Sequence, residues 1–154
     1  MSSAVVYRLN GATDAEIGAH LRACDSDFIP SLCSRIEIDD YAFKIASNAL
    51  RFEAWSQGVL IGLVAGYCND RGKQVAYITS VSVLKDWTGK GIAAQLISRF
   101  VEHARNSGMQ RISLQVGQKN LPAIRLYEKH GFSAVETNQP FIDMDLHLDK
   151  QGGA

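Results

Sequence analysis

The sequence predicts an α/β (α+β) domain, with a mixed, mainly antiparallel sheet of about seven strands and four helices on its faces. Alternating, β-branched segments joined by tight turns fill the middle of the chain. After residue 88 the apolar period lengthens to that of a helix, and helical and strand-like stretches then alternate. No linker or repeat divides the 154 residues, so they read as one domain, 1–154, with a frayed tail at 150–154.

Val5 to Leu9 is short and β-prone, which suits a first strand. Thr13-Asp-Ala-Glu16 is a capping box, and Ile17 and Leu21 recur at helical spacing, giving a helix over 14–23. Residues 24–37 are mixed, contain Pro30 and read as an irregular connection. Ile38, Tyr41, Ala42, Ile45 and Ala49 form a second helical stripe. Leu50–Ser56, Val59–Tyr67 and Val75–Leu84 are three strands of an antiparallel meander, separated by turns at Gln57-Gly58 and Asn69-Asp-Arg-Gly72. Ile92, Leu96, Ile97, Phe100, Val101 and Ala104 share one face of a helix over 89–106, which Gly108 ends. Arg111–Val116 alternates as a strand. Asn120 caps a short helix that tolerates Pro122 in its first turn, and Gly131 ends it. Ser133–Thr137 and Phe141–Leu148 are the last strands, around a turn at Asn138-Gln139-Pro140.

Sixteen Lys and Arg balance sixteen Asp and Glu, so the basic excess of a nucleic-acid-binding domain is missing. Cys24, Cys33 and Cys68 are odd in number and lack paired spacing; they read as small buried apolar residues rather than a disulfide framework, a nucleophile or a metal site. The longest apolar run, Val59 to Gly66, is far shorter than the roughly 20 residues of a membrane span. The first ten residues do not resemble a signal peptide. The expectation is a soluble cytoplasmic domain without nucleic-acid, membrane or metal partners.

The most informative stretch is Val81-Ser-Val-Leu-Lys-Asp-Trp-Thr-Gly-Lys-Gly-Ile92. A strand runs through a glycine-containing loop into an amphipathic helix, whose N-terminus offers unpaired N–H groups and a partial positive charge. Glycines let the backbone approach a ligand, so the loop suits a phosphate or pyrophosphate, with Lys85 and Lys90 as optional charge. The alternative is an ordinary strand-to-helix turn. Gly89-Lys-Gly91-Ile-Ala-Ala94 also fits the dinucleotide fingerprint, but a meander precedes it and the next strand ends in Gly117-Gln118 rather than in an acidic residue. The Walker pattern is absent.

Two motifs resemble the GNAT superfamily of N-acetyltransferases. Asp86-Trp-Thr-Gly89-Lys90-Gly91 is similar to that family's acetyl-CoA loop, Q/R-x-x-G-x-G/A. Both glycines match; Asp86 replaces Gln/Arg, and Thr88 stands where many members carry a basic residue. Asn120-Leu-Pro-Ala123-Ile-Arg-Leu-Tyr127-Glu-Lys-His-Gly131-Phe132 is similar to N-x-x-A-x-x-L-Y-x-x-x-G-F. The resemblance implies that acetyl-CoA is the cosubstrate and that a primary amine attacks its thioester directly. It implies that Tyr127 protonates the leaving thiolate and that the backbone around Val81 and Val83 stabilises the oxyanion. Cofactor contacts then fall on Val81, Ser82, Val83, Asp86, Trp87, Thr88, Gly89, Lys90, Gly91, Ile92, Asn120, Ala123 and Tyr127.

No histidine is an evident base: His20, His103, His130 and His147 are scattered. Tyr77 and Glu53 are the candidates, Glu53 either pointing into the cleft or lying as a solvated charge on a strand face. Phe28, Ile29, Tyr41 and Tyr67 are candidate acceptor-lining residues. Asp25, Asp27, Asp39 and Asp40 make that region acidic, either to receive a cation or as caps and a solvated loop. The acceptor is a small-molecule amine, such as an amino sugar, or a peptide amine. A non-catalytic acyl-CoA-binding module and a dinucleotide-dependent oxidoreductase are the competing classes. A homodimer is left open, with the final strand as an available edge.

Overall fold

A computed structural model describes residues 4–70 and 72–148. Its strands are β1 (Val6–Leu9), β2 (Leu50–Ser56), β3 (Val59–Tyr67), β4 (Val75–Val83), β5 (Arg111–Gly117), β6 (Ser133–Asn138) and β7 (Phe141–His147). Its helices are α1 (Asp14–Cys24), α2 (Ile38–Asn48), α3 (Ile92–Asn106) and α4 (Leu121–Lys129). The strands form one sheet in the order β1-β2-β3-β4-β5-β7-β6, and every pairing is antiparallel except β4 with β5. The expected mixed sheet and four helices are therefore present. The tail expected to fray, 150–154, lies outside the described residues.

The capping box forms as the sequence dictates: Thr13 Oγ1 accepts from the Glu16 N–H, and Glu16 accepts from the Thr13 N–H. Two apolar layers hold helices to opposite faces of the sheet. On one side Leu96, Ile97 and Phe100 of α3 are fully buried among residues including Ile61, Val64, Ile112 and Leu114. On the other, Ile17 and Leu21 of α1 and Ile45 of α2 pack against Leu60, Leu63 and Ala65. Each such side chain contributes about 1.5–3 kcal/mol on burial. Gly66 lets α3 lie close, because a Cβ there would sit 2.6 Å from the Phe100 ring.

Two expectations change. The long helix begins at Ile92, not at residue 89, because Gly89 and Gly91 adopt φ of +77° and +79° and residues 85–87 form a separate short turn. The final strand is not a sheet edge. β7 folds back as a hairpin and pairs along all of β5, from Arg111↔His147 to Gly117↔Phe141, leaving β1 and the wholly exposed β6 at the edges.

The feature that positions a site is the partial pairing of β4 with β5. They pair in parallel only from Val75↔Arg111 to Ile78↔Leu114, although β4 continues to Val83 and β5 to Gly117. A register shift between Ala65 and Gly66 of β3 falls beside the point of parting. Beyond it the sheet opens as a wedge.

Candidate active site

The wedge leads into a cleft of about 980 Å³ between the connection after α1, strand β4, the start of α3, the end of β5 and helix α4. The Leu84 N–H donates to the Ile61 carbonyl at 2.8 Å. By strand alternation Ser82 and Ser80 also turn their backbone groups toward β3, so Val81 and Val83 turn theirs to the side that β5 has left. Open N–H groups of this kind receive a developing oxyanion.

The loop after β4 is held from within. The Trp87 N–H donates to Leu84 O at 2.8 Å, the Thr88 N–H to Lys85 O at 3.3 Å, and the Thr88 hydroxyl to Lys85 O at 2.8 Å. Among the described residues, no backbone N–H from residue 89 to 94 has a protein acceptor; the first bond of α3 runs from Gln95 N–H to Gly91 O. No side chain caps this end. Six consecutive donors stand at the positive end of a long helix, reached through two left-handed glycines, which is a donor set suited to an anion.

Helix α4 supplies the opposite wall. The Asn120 side chain is its cap, accepting the Ala123 N–H at 3.3 Å, while also lining the cleft. Tyr127 lines the cleft too, is 7% exposed, and rests its ring against Phe132 with centroids 5.9 Å apart. Its hydroxyl has no hydrogen-bond partner among the described residues, and burial pushes its pKa well above the usual tyrosine value. It is therefore protonated at neutral pH.

Of the sequence-derived candidates, Val81, Ser82, Val83, Trp87, Thr88, Gly89, Gly91, Ile92, Asn120, Ala123 and Tyr127 come together on the cleft wall, with Phe28, Ile29, Tyr41 and Tyr77. Tyr41 donates to the Thr79 carbonyl at 2.7 Å and braces β4 at its point of parting. Asp86, Lys90 and Tyr67 do not line the cleft; Tyr67 instead packs at the margin of the α1–α2 layer.

Glu53 is corrected on both counts. It neither reaches the cleft nor meets solvent, being 0% exposed. Its carboxylate accepts from the N–H groups of Gly11 and Ala12, from Trp55 Nε1 and from Arg51 Nε, which ties the loop after β1 to β2. Tyr77 faces the cleft, where burial and the nearby Asp143 carboxylate raise its pKa. The cysteines also differ: Cys24 is buried, Cys68 half-buried and Cys33 exposed. Asp25 accepts from the Cys33 N–H and Asp39 pairs with Arg22, whereas Asp27 lines the cleft.

Sequence reasoning missed Cys24, Arg35, Thr79, Ser80, Gln115, Gly117 and Phe141 on the wall. Arg35 stands over the Phe141 ring at 5.0 Å, joining the connection after α1 to β7. Gly117 faces the Ile29 carbonyl so closely that any Cβ would collide with it. Among the described residues no group of three or more His, Cys, Asp or Glu side chains is placed to hold a metal ion, and no helix is long and apolar enough to cross a membrane.

The chain matches the model of the acetyltransferase (GNAT) family over residues 17–132. It is 33% identical over 91 residues to an uncharacterized N-acetyltransferase of Methanocaldococcus jannaschii, a match covering 56% of this chain and 40% of that relative's length. Among solved structures it is similar to the PaiA N-acetyltransferase of Thermoplasma acidophilum in complex with coenzyme A, with a TM-score of 0.72, 14% identity, and coverage of 94% and 99% of the two chains. YncA of Salmonella typhimurium with acetyl-CoA gives a TM-score of 0.73 at 19% identity, over 97% and 96% of the chains.

Proposed function

This chain belongs to the GNAT acetyltransferase family, and on that premise we propose that it transfers the acetyl group of acetyl-CoA to a primary amine by direct attack. The observation that carries the proposal is the wedge itself. The parting of β4 from β5 lies between a cradle of six free N–H donors and the unpartnered Tyr127 hydroxyl.

In this reading the pyrophosphate lies at the cradle of residues 89–94, with charge received by backbone N–H groups rather than by Lys90 or Asp86, which are off the wall. The pantetheine arm runs between β4 and α4, past Asn120 and Ala123. The acetyl carbonyl points at the Val81 and Val83 N–H groups. The neutral amine, entering from the side of Phe28, Ile29, Tyr41 and Tyr77, forms a C–N bond to the carbonyl carbon. The C–S bond breaks as the tetrahedral intermediate collapses, and Tyr127 donates its proton to the departing sulfur. A thiol has an unperturbed pKa of about 8.5, so a tyrosine of higher pKa gives up its proton only when held against the thiolate.

The cleft volume is at the upper end of small-molecule sites, which run about 300–1,000 Å³, and leaves room for an acceptor beside the cosubstrate. The acceptor is a small-molecule amine or a peptide amine. The test is acetyl-CoA-dependent thiol release with a panel of primary amines, comparing wild type with Tyr127→Phe. Loss of turnover with retained CoA affinity supports an enzyme. A wild-type protein that binds acetyl-CoA and acetylates nothing supports a binding module instead.

A further inference from the structure

The mechanism above leaves the amine's proton without a destination, and the structure contains a buried histidine that it does not use. His20 of α1 is 3% exposed and is fixed at both ring nitrogens. Nδ1 lies 2.9 Å from the Leu60 carbonyl, and Nε2 lies 2.9 Å from Ser82 Oγ. A carbonyl can only accept, so Nδ1 carries the hydrogen and Nε2 is left as an acceptor. The Ser82 hydroxyl therefore donates to Nε2.

Ser82 is not merely buried. It lies on the cleft wall, between Val81 and Val83 in sequence, on the face of β4 that looks toward α1. This is the face with Tyr41 and Tyr77, from which the acceptor enters. We infer that Ser82 and His20 form a proton relay for the acceptor amine. As the C–N bond forms, the nitrogen passes a proton to Ser82 Oγ, and Ser82 passes its own to His20 Nε2. Tyr127 gives its proton to the sulfur as the C–S bond breaks. The resulting imidazolium and tyrosinate return to neutrality through water, so no oxidant, metal or further reactant enters. Ser82 touches the substrate; His20 acts through it. The relay rests on the amine-acetyltransferase reading.

The surroundings favour a neutral resting His20. The groups facing it are Cys24, one turn along α1 with Sγ 3.8 Å from Nε2, the Leu60 carbonyl of β3 and Ser82 of β4. Asp27 lies beyond Cys24 and acts on that thiol. Burial lowers the His20 pKa and raises that of Cys24 to about 11, so the imidazole rests neutral beside a protonated thiol.

The test is Ser82→Ala against wild type, with thiol release measured across pH for the best primary alkylamine from a panel of tyramine, spermidine, glucosamine and an alanyl peptide. The relay predicts a fall in kcat of about 100-fold near neutral pH. It also predicts recovery as pH rises toward the amine's own pKa, which a merely structural role for the Ser82–His20 bond would not produce. Ring ¹H–¹⁵N correlations of His20 in wild type should show protonated Nδ1 and bare Nε2, and the Nε2 shift should move in Ser82→Ala. An unchanged pH profile in the variant, or a protonated Nε2 in the wild type, overturns the relay. A wild type that binds acetyl-CoA but acetylates none of the panel overturns the amine reading, and the relay with it.

Discussion

Replacing Glu53 by Ala removes the carboxylate that fastens the loop after β1 to the sheet. Glu53 receives the Gly11 N–H at 3.0 and 3.1 Å on its two oxygens, the Ala12 N–H at 3.0 Å, Trp55 Nε1 at 2.9 Å and Arg51 Nε at 3.2 Å. Its side chain is 0% exposed and that of Arg51 only 7%. Truncation leaves a buried guanidinium without its counter-charge, and breaking one side of such a pair costs about 3–5 kcal/mol. Arg51 keeps bonds to the Ala46 and Ala12 carbonyls at 3.0 Å, which satisfy its donors but not its charge. Three further N–H donors lose their acceptor at about 1–3 kcal/mol each wherever water does not replace it. These terms overlap, so a loss of about 4–5 kcal/mol is expected, a large part of the roughly 5–15 kcal/mol that holds a domain together. At about 2–4 °C per kcal/mol the melting temperature falls by about 10–20 °C. Urea and thermal melts read the loss, and thiol release by the milder Glu53→Gln variant reads the chemistry. A Glu53→Ala protein melting with the wild type would refute this role. So would a stably folded Glu53→Gln protein without turnover, which would return the carboxylate to the reaction.

Tyr127→Phe should lower kcat by about 100-fold or more while leaving acetyl-CoA affinity unchanged, as measured by thiol release and calorimetry. Gly91→Ala, at φ +79° with no atom near the added Cβ, should cost about 1 kcal/mol of strain and weaken acetyl-CoA binding, which a titration of the folded variant checks. Gly117→Ala should push the Ile29 carbonyl off the cleft and raise the acceptor KM, seen in initial-rate kinetics. His20 has a folded pKa below its unfolded value near 6.5, so the unfolded chain takes up the proton first as pH falls. This contribution to stability is constant above about pH 6.5 and is lost below it; urea midpoints at about pH 7.5 and about pH 5.5 should show the decline.

What the sequence made legible was local. The capping box at Thr13 and Glu16, the stripe from Ile92 to Ala104, and the Asn120 cap each depend on contacts within a few residues, and each formed. Gly89 and Gly91 were legible because positive φ is written into residue type. What escaped depends on partners far away in the chain. Glu53 alternates like a solvent-facing charge until Gly11 and Ala12, more than 40 residues earlier, supply its donors. The wedge between β4 and β5 has no signature in either strand, because it arises where parallel pairing stops at Ile78. Ser82 and His20 are 62 residues apart, on a strand and a helix that only the packing of α1 on the sheet joins. Hairpin closure likewise placed β7 inside the sheet and moved the edge to β6.

Calorimetric titration of the folded protein with acetyl-CoA, CoA and NAD in parallel is the most direct measurement. Saturable binding of acetyl-CoA and CoA, with none of NAD, is the result that the cradle at residues 89–94 predicts. A folded protein that binds neither acetyl-CoA nor CoA would contradict it, and Gly89 and Gly91 would then serve only to turn the chain into α3.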